Sequence, residues 1–191
     1  MTSTPPRPGL DLRRPAVVLA IALPVLLALV VAGLAVAARA GAFSPTVAAE
    51  TGPLALAPVD APDATSAGCT SLLAALPADL PGDPALAGRP MAEPVQAGTK
   101  AWAAVPRPVV LRCGLSRPQE LTPTATLTDV NGVSWLTITD GTPQPTLVTY
   151  VAVDRGVYIA LTTPTQIGSG PVQSVSDRIA ATLPKRPLQL R

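Results

Sequence analysis

The chain has 191 residues, with 14 basic and 12 acidic side chains and no histidine. Without histidine there is no Ser–His–Asp triad, no imidazole metal ligand and no imidazole proton switch. The net charge of +2 is carried by Arg7, Arg13 and Arg14 against Asp11, and the remainder balances 11 basic against 11 acidic groups, which excludes the basic footprint that nucleic acid requires.

Residues 16–38 are 23 consecutive residues without a charge. A helix of that length is about 34 Å long, against roughly 30 Å of bilayer hydrocarbon. The stretch reads as a transmembrane helix, and residues 1–15 as a cytoplasmic N-terminus, because Arg13 and Arg14 precede it and only Arg39 follows closely. The expected location is therefore the cell membrane, single-pass, with the C-terminal domain extracytoplasmic. Besides lipidation at Ser66-Ala67-Gly68-Cys69, which ends like a lipoprotein box but has Ser66 in place of the aliphatic residue and lies far from the apolar region, two fates stay open. Signal peptides have apolar regions of about 7–15 residues, so the length favours an uncleaved signal-anchor, yet Ala38-Arg39-Ala40 has the small-x-small form of a cleavage site.

Residues 39–67 are rich in Pro and Ala and show neither helical nor strand period. Proline spacing of this kind favours extended, solvated backbone, and the segment is expected to be a disordered stalk.

Residues 68–187 are expected to form one α+β domain, followed by a tail at 188–191. A short helix opens at Cys69, with Leu72, Leu73 and Leu76 as its apolar side, Thr70 and Ser71 as expected caps, and Pro77 as its stop. Residues 82–99 read as loop. Residues 109–113 alternate as a strand, with Val109, Leu111 and Cys113 on one face and Val110 and Arg112 on the other. If the Leu72 helix packs on the first face, Cys69 meets Cys113. An oxidising compartment would keep that disulfide, and free thiols are the alternative.

Asn131-Gly132 between Val130 and Val133 is a type I′ hairpin signal. The register it sets pairs Leu127 with Leu136 and Ala125 with Ile138 on the expected core side. Trp135 falls on the opposite side. A second hairpin is expected around Asp154-Arg155-Gly156 as a three-residue loop pairing Val153 with Val157, which places Val151, Val153, Val157, Ile159 and Leu161 on one face and Tyr150 with Tyr158 on the other. Pro171 opens a last helix with Val172, Val175, Ile179 and Leu183 as its stripe, and Pro184 stops it; the chain from Lys185 is expected to fray. The sum is an antiparallel sheet of about five strands with two helices on one face.

This order of features resembles an actinobacterial family, domain-of-unknown-function family 3515. The matching residues are Cys69-Thr70-Ser71-Leu72-Leu73-Ala74-Ala75-Leu76-Pro77, then Trp102, then Val110-Leu111-Arg112-Cys113-Gly114, then Tyr150, Arg155 and Pro164. Ala103 departs from the glycine that the family places after the tryptophan. The resemblance implies a membrane-tethered or exported actinobacterial protein, marks Trp102, Arg112, Gly114 and Arg155 as motif residues, and carries no assigned reaction.

The groups available for chemistry are few. A serine nucleophile would need Lys100 or Lys185 as its base, and neither sits in a motif. Asp129, Asp140 and Asp154 stand at strand ends, where turns use aspartate. No metal-ligand cluster or phosphate loop appears, so no cofactor and no metal is expected. The non-core sheet face would gather Trp135, Tyr150 and Tyr158 among threonines, as a binding face for a glycan or peptide or as a second small core under a loop. The expected function is a non-catalytic envelope protein that binds an envelope component or partner protein. The alternative is a cell-wall-acting hydrolase or transferase using carboxylates or a serine.

Overall fold

The computed structural model describes residues 15–39 and 48–189. The arginine flank before the first helix, the Ala40 end of the cleavage-like motif, the first part of the expected stalk and the last two residues lie outside the described residues. The chain divides into two units, Met1–Thr46 and Val47–Arg191. In the first, helix α1 spans Pro15–Arg39. Its large apolar side chains are exposed from Val18 to Val36. The helix is long and apolar enough to cross a bilayer, as either a single-pass anchor or a signal sequence would.

The second unit is α+β. Its sheet has seven antiparallel strands: β1 (Gly88–Arg89), β2 (Thr99–Trp102), β3 (Val109–Leu115), β4 (Leu127–Val130), β5 (Val133–Thr139), β6 (Leu147–Ala152) and β7 (Tyr158–Pro164). Their order is β1-β2-β3-β7-β6-β5-β4. The two strands beyond the expected five are β1 and β2, short elements in the stretch read as loop and Trp102 lead-in.

Helices α2 (Ala67–Ala75) and α3 (Gly170–Thr182) lie on one face. Leu72 and Leu76 from the first, and Val172, Val175, Ile179 and Leu183 from the second, share a core with Trp102, Val109, Leu111, Trp135, Ile159 and Leu161. Helix α2 starts earlier than expected. Ser66 is the cap, its hydroxyl accepting the Cys69 N–H, whereas the Thr70 hydroxyl donates back to the Ser66 carbonyl. Pro77 biases Leu76 to extended backbone, and the helix stops there.

The first hairpin has the expected register, Leu127 opposite Leu136 and Val130 opposite Val133, with Asn131 and Gly132 both at positive φ. The second differs by one residue. Ala152 pairs with Ile159 and Tyr150 with Leu161, so the connection is longer than three residues. That slip turns β6 over relative to β7. Val151 and Val153 join a smaller cluster on the other face, with Leu121, Leu136 and Ala160, whereas Ile159 and Leu161 stay under the helices.

The expected stalk also needs correction. Residues 48–66 run along the domain. Leu54 bridges Met91, with Leu54 N–H donating to the Pro90 carbonyl and Ala92 N–H donating to that of Leu54. The Gln96 amide donates to the Leu56 carbonyl, and Asp63 N–H donates to the Gly114 carbonyl at 3.0 Å. A proline-rich strip without hydrophobic period binds here through its backbone, which no side-chain pattern announces.

Gly114 is the hinge of that contact. It sits at a bulge in β3 with φ +86°, and a Cβ there would overlap the Asp63–Ala64 peptide. Gly114→Ala is expected to cost about 1–2 kcal/mol for the left-handed backbone and about 1–3 kcal/mol for the overlap. Denaturant unfolding should show the loss, and limited proteolysis should cut faster within 48–66.

Candidate binding cleft

Cys69 and Cys113 form a disulfide with Cα atoms 5.6 Å apart, tying the first turn of α2 to β3. Trp102 is fully buried, with Lys100 Nζ 5.8 Å from its ring centre. The Lys100 ammonium donates to the Leu76 carbonyl at 3.0 Å, and burial pulls its pKa below the ordinary lysine value. Ala103, where the resemblance expects glycine, donates its N–H to the Ala87 carbonyl.

The three aromatics expected on one open face do not form it: Trp135 and Tyr150 stay together under the helices, and Tyr158 lies on the other side. Trp135 is completely buried in the main core, its indole N–H donating to the Ser176 hydroxyl at 2.9 Å. Tyr150 packs edge-on against it at 6.3 Å. Tyr158 belongs to the cluster on the opposite face. The register slip between β6 and β7 turns Tyr158 to the other side, and the helices cover the side that Trp135 and Tyr150 share, where Ser176 on α3 satisfies the indole N–H. An aromatic binding face is therefore not formed.

The groups weighed for catalysis are tied into structure. Asp129 accepts the Gly132 N–H at 3.0 Å, and Asp140 accepts both the N–H and hydroxyl of Thr142, which hold its carboxyl below the ordinary range. Ser176 donates to the Val172 carbonyl. Asp154, read as a turn residue, is instead buried beside Arg155, its carboxylate 3.8 Å from that guanidinium and 3.6 Å from Lys185 Nζ. Arg155 also donates to the Gly132 carbonyl at 2.6 Å, and so pins one hairpin turn to the other.

Arg112 behaves differently from its neighbours. Arg89 binds the Gly52 carbonyl and Glu50, and Arg117 binds the Leu121 and Gln189 carbonyls. Arg112 is half-buried on β3, and its buried Nε has no hydrogen-bond partner. Among the described residues its guanidinium makes no hydrogen bond and no ion pair. Burial alone lowers its pKa from the ordinary value, which is the signature of a cation short of a counter-charge.

This side chain lines a cleft of about 230 Å³ between the 58–64 strip and the start of β2. Pro58, Val59, Ala61, Ala64 and Ala97 supply small apolar walls, and Gln96 and Thr99 supply polar groups. Arg112 is visible in the sequence as part of the motif; its walls are not, because both wall segments read as irregular chain. The arrangement holds one partly desolvated guanidinium, with its Nε buried, beside small apolar walls, which suits a ligand with a single anionic head.

A family model matches residues 20–188 of this chain, and its description is "Protein of unknown function (DUF3515)". No curated protein and no solved structure matches the chain.

Proposed function

The chain belongs to this family of unknown function (DUF3515), and from that premise we propose that it is a single-span envelope protein whose extracytoplasmic domain binds an anionic envelope ligand at Arg112 without transforming it. Three features support the reading. The apolar helix α1 would anchor the chain, with Arg7, Arg13 and Arg14 retained in the cytoplasm. The buried disulfide suits an oxidising exterior. The observation that carries the binding claim is the unpaired Arg112 guanidinium in its cleft. An arginine-rich, lysine-poor composition favours an actinobacterial source.

The test is a thermal shift of the full chain in detergent with acetate, phosphate and sulfate as probes. At a hundredfold excess over Kd a ligand stabilises the folded state by about 2.7 kcal/mol, roughly a 5–10 °C rise in Tm. The rise should disappear in Arg112→Gln. An equal rise in that variant, or none in the native chain, overturns the binding reading. Turnover of a captured ligand would favour the hydrolase or transferase.

A further inference from the structure

We propose that the Arg112 cleft receives the carboxyl terminus of a peptide whose last residues carry small apolar side chains. The inference rests on the binding reading and specifies its ligand. Arg112 is the only cation among the residues that line the cleft. One guanidinium neutralises one charge and matches a carboxylate through two parallel N–H···O bonds. A phosphate monoester near its second ionisation would bring a further charge that nothing in the cleft meets.

The remaining polar groups point to a peptide rather than a simple fatty acid. The Gln96 amide gives one N–H to the Leu56 carbonyl, and its Oε1 has no donor among the described residues. The Thr99 hydroxyl gives its proton to the Gln96 carbonyl at 2.6 Å and keeps its lone pairs. Beyond Arg112, the cleft therefore offers side-chain acceptors. A ligand that fills it well carries N–H donors next to its carboxylate, as the end of a peptide does.

Size narrows the class further. A cavity of about 150 Å³ holds the six carbons of benzene, so one near 230 Å³ holds roughly nine or ten heavy atoms. That is close to two alanine-sized residues. The alanine, proline and valine of the walls present apolar surface to methyl groups, and two aromatic residues would exceed the volume.

Isothermal titration of the full chain in detergent tests this with N-acetyl-Ala-Ala, its C-terminal amide, N-acetyl-Phe-Phe and inorganic phosphate. The free acid should bind at least about tenfold tighter than the amide, the worth of a charge-assisted hydrogen bond. It should also bind at least about tenfold tighter than the bulky acid, whose side chains exceed the cleft volume. Arg112→Lys should retain part of the preference for acid over amide, and Arg112→Gln should abolish it. Ala97→Leu, at an exposed rim position, should weaken the alanine peptide about tenfold while leaving Tm unchanged. Equal binding of acid and amide, or of the bulky acid, overturns the proposal. Phosphate binding that depends on Arg112 without a peptide preference also overturns it and leaves the anion-binding cleft standing. Absence of any Arg112-dependent binding removes both.

Discussion

Arg155→Ala is expected to destabilise the α+β domain by about 3–5 kcal/mol, the cost of stranding a buried charge when its partner is removed. The side chains of Arg155 and Asp154 are 3% and 2% exposed. Among the described residues neither Asp154 carboxylate oxygen accepts a hydrogen bond, so its charge depends on Arg155 and on Lys185 Nζ, and the latter lies on a side chain 63% exposed. Removing Arg155 therefore leaves the carboxylate facing one screened cation, and it also leaves the Gly132 carbonyl without its donor. Lys185→Ala, by contrast, should cost under about 1 kcal/mol, because its charge is largely solvated. Adding Asp154→Asn to Arg155→Ala should recover part of the loss, since the stranded charge goes with it. Denaturant unfolding followed by tryptophan fluorescence measures this directly. Trp102 and Trp135 are the only tryptophans, and both are buried in the domain core. A loss under about 1 kcal/mol in Arg155→Ala would show that the pair contributes little.

The same pair explains where sequence reasoning succeeds and where it stops. Asn131-Gly132 legislates its own hairpin, because two adjacent residues at positive φ admit one turn type and thereby one register. Asp154-Arg155-Gly156 has one such residue, Gly156, and a single left-handed position does not decide the loop length. What decides it is tertiary. The connection carries Asp154 and Arg155 inward to meet the turn of the neighbouring hairpin and the tail from Lys185, and Arg186 N–H donates to the Asp154 carbonyl. A charged pair inside a turn looks solvent-facing in the sequence, so both the register and the faces of Tyr150 and Tyr158 were out of reach.

The choice of core face fails for a related reason. In β5, Leu136 and Ile138 alternate with Val133 and Trp135, and both sets are packed against something. Periodicity reveals alternation but not which side the helices take, since Leu121 and its loop cover the other side. By contrast, Val109, Leu111 and Cys113 in β3 and the stripe of α3 were legible, because each has an apolar partner set with the right period. The cleft combines one legible residue, Arg112, with walls from a proline-rich strip that is held by backbone hydrogen bonds.

Removing the disulfide is the second large perturbation. The bond closes a loop across a sequence separation of 44, worth about 4 kcal/mol in the chain-entropy account. Cys69→Ala with Cys113→Ala is the better test pair, since serine would place unpartnered hydroxyls at positions no more than 1% exposed. The double variant should unfold at markedly lower denaturant than the native chain. Reductant should bring the native chain close to the variant, and should leave the variant unmoved because the described chain has no other cysteine. The bond contributes that much only where it is kept oxidised, so stability and proposed topology meet in one measurement. Mass spectrometry of non-reduced protein from membranes should find Cys69 linked to Cys113, and a C-terminal reporter should be active outside the cytoplasm. Two alkylatable thiols together with a cytoplasmic reporter would leave the domain without its cross-link in the cell, and would remove the ground for placing the Arg112 cleft on the exterior face of the membrane.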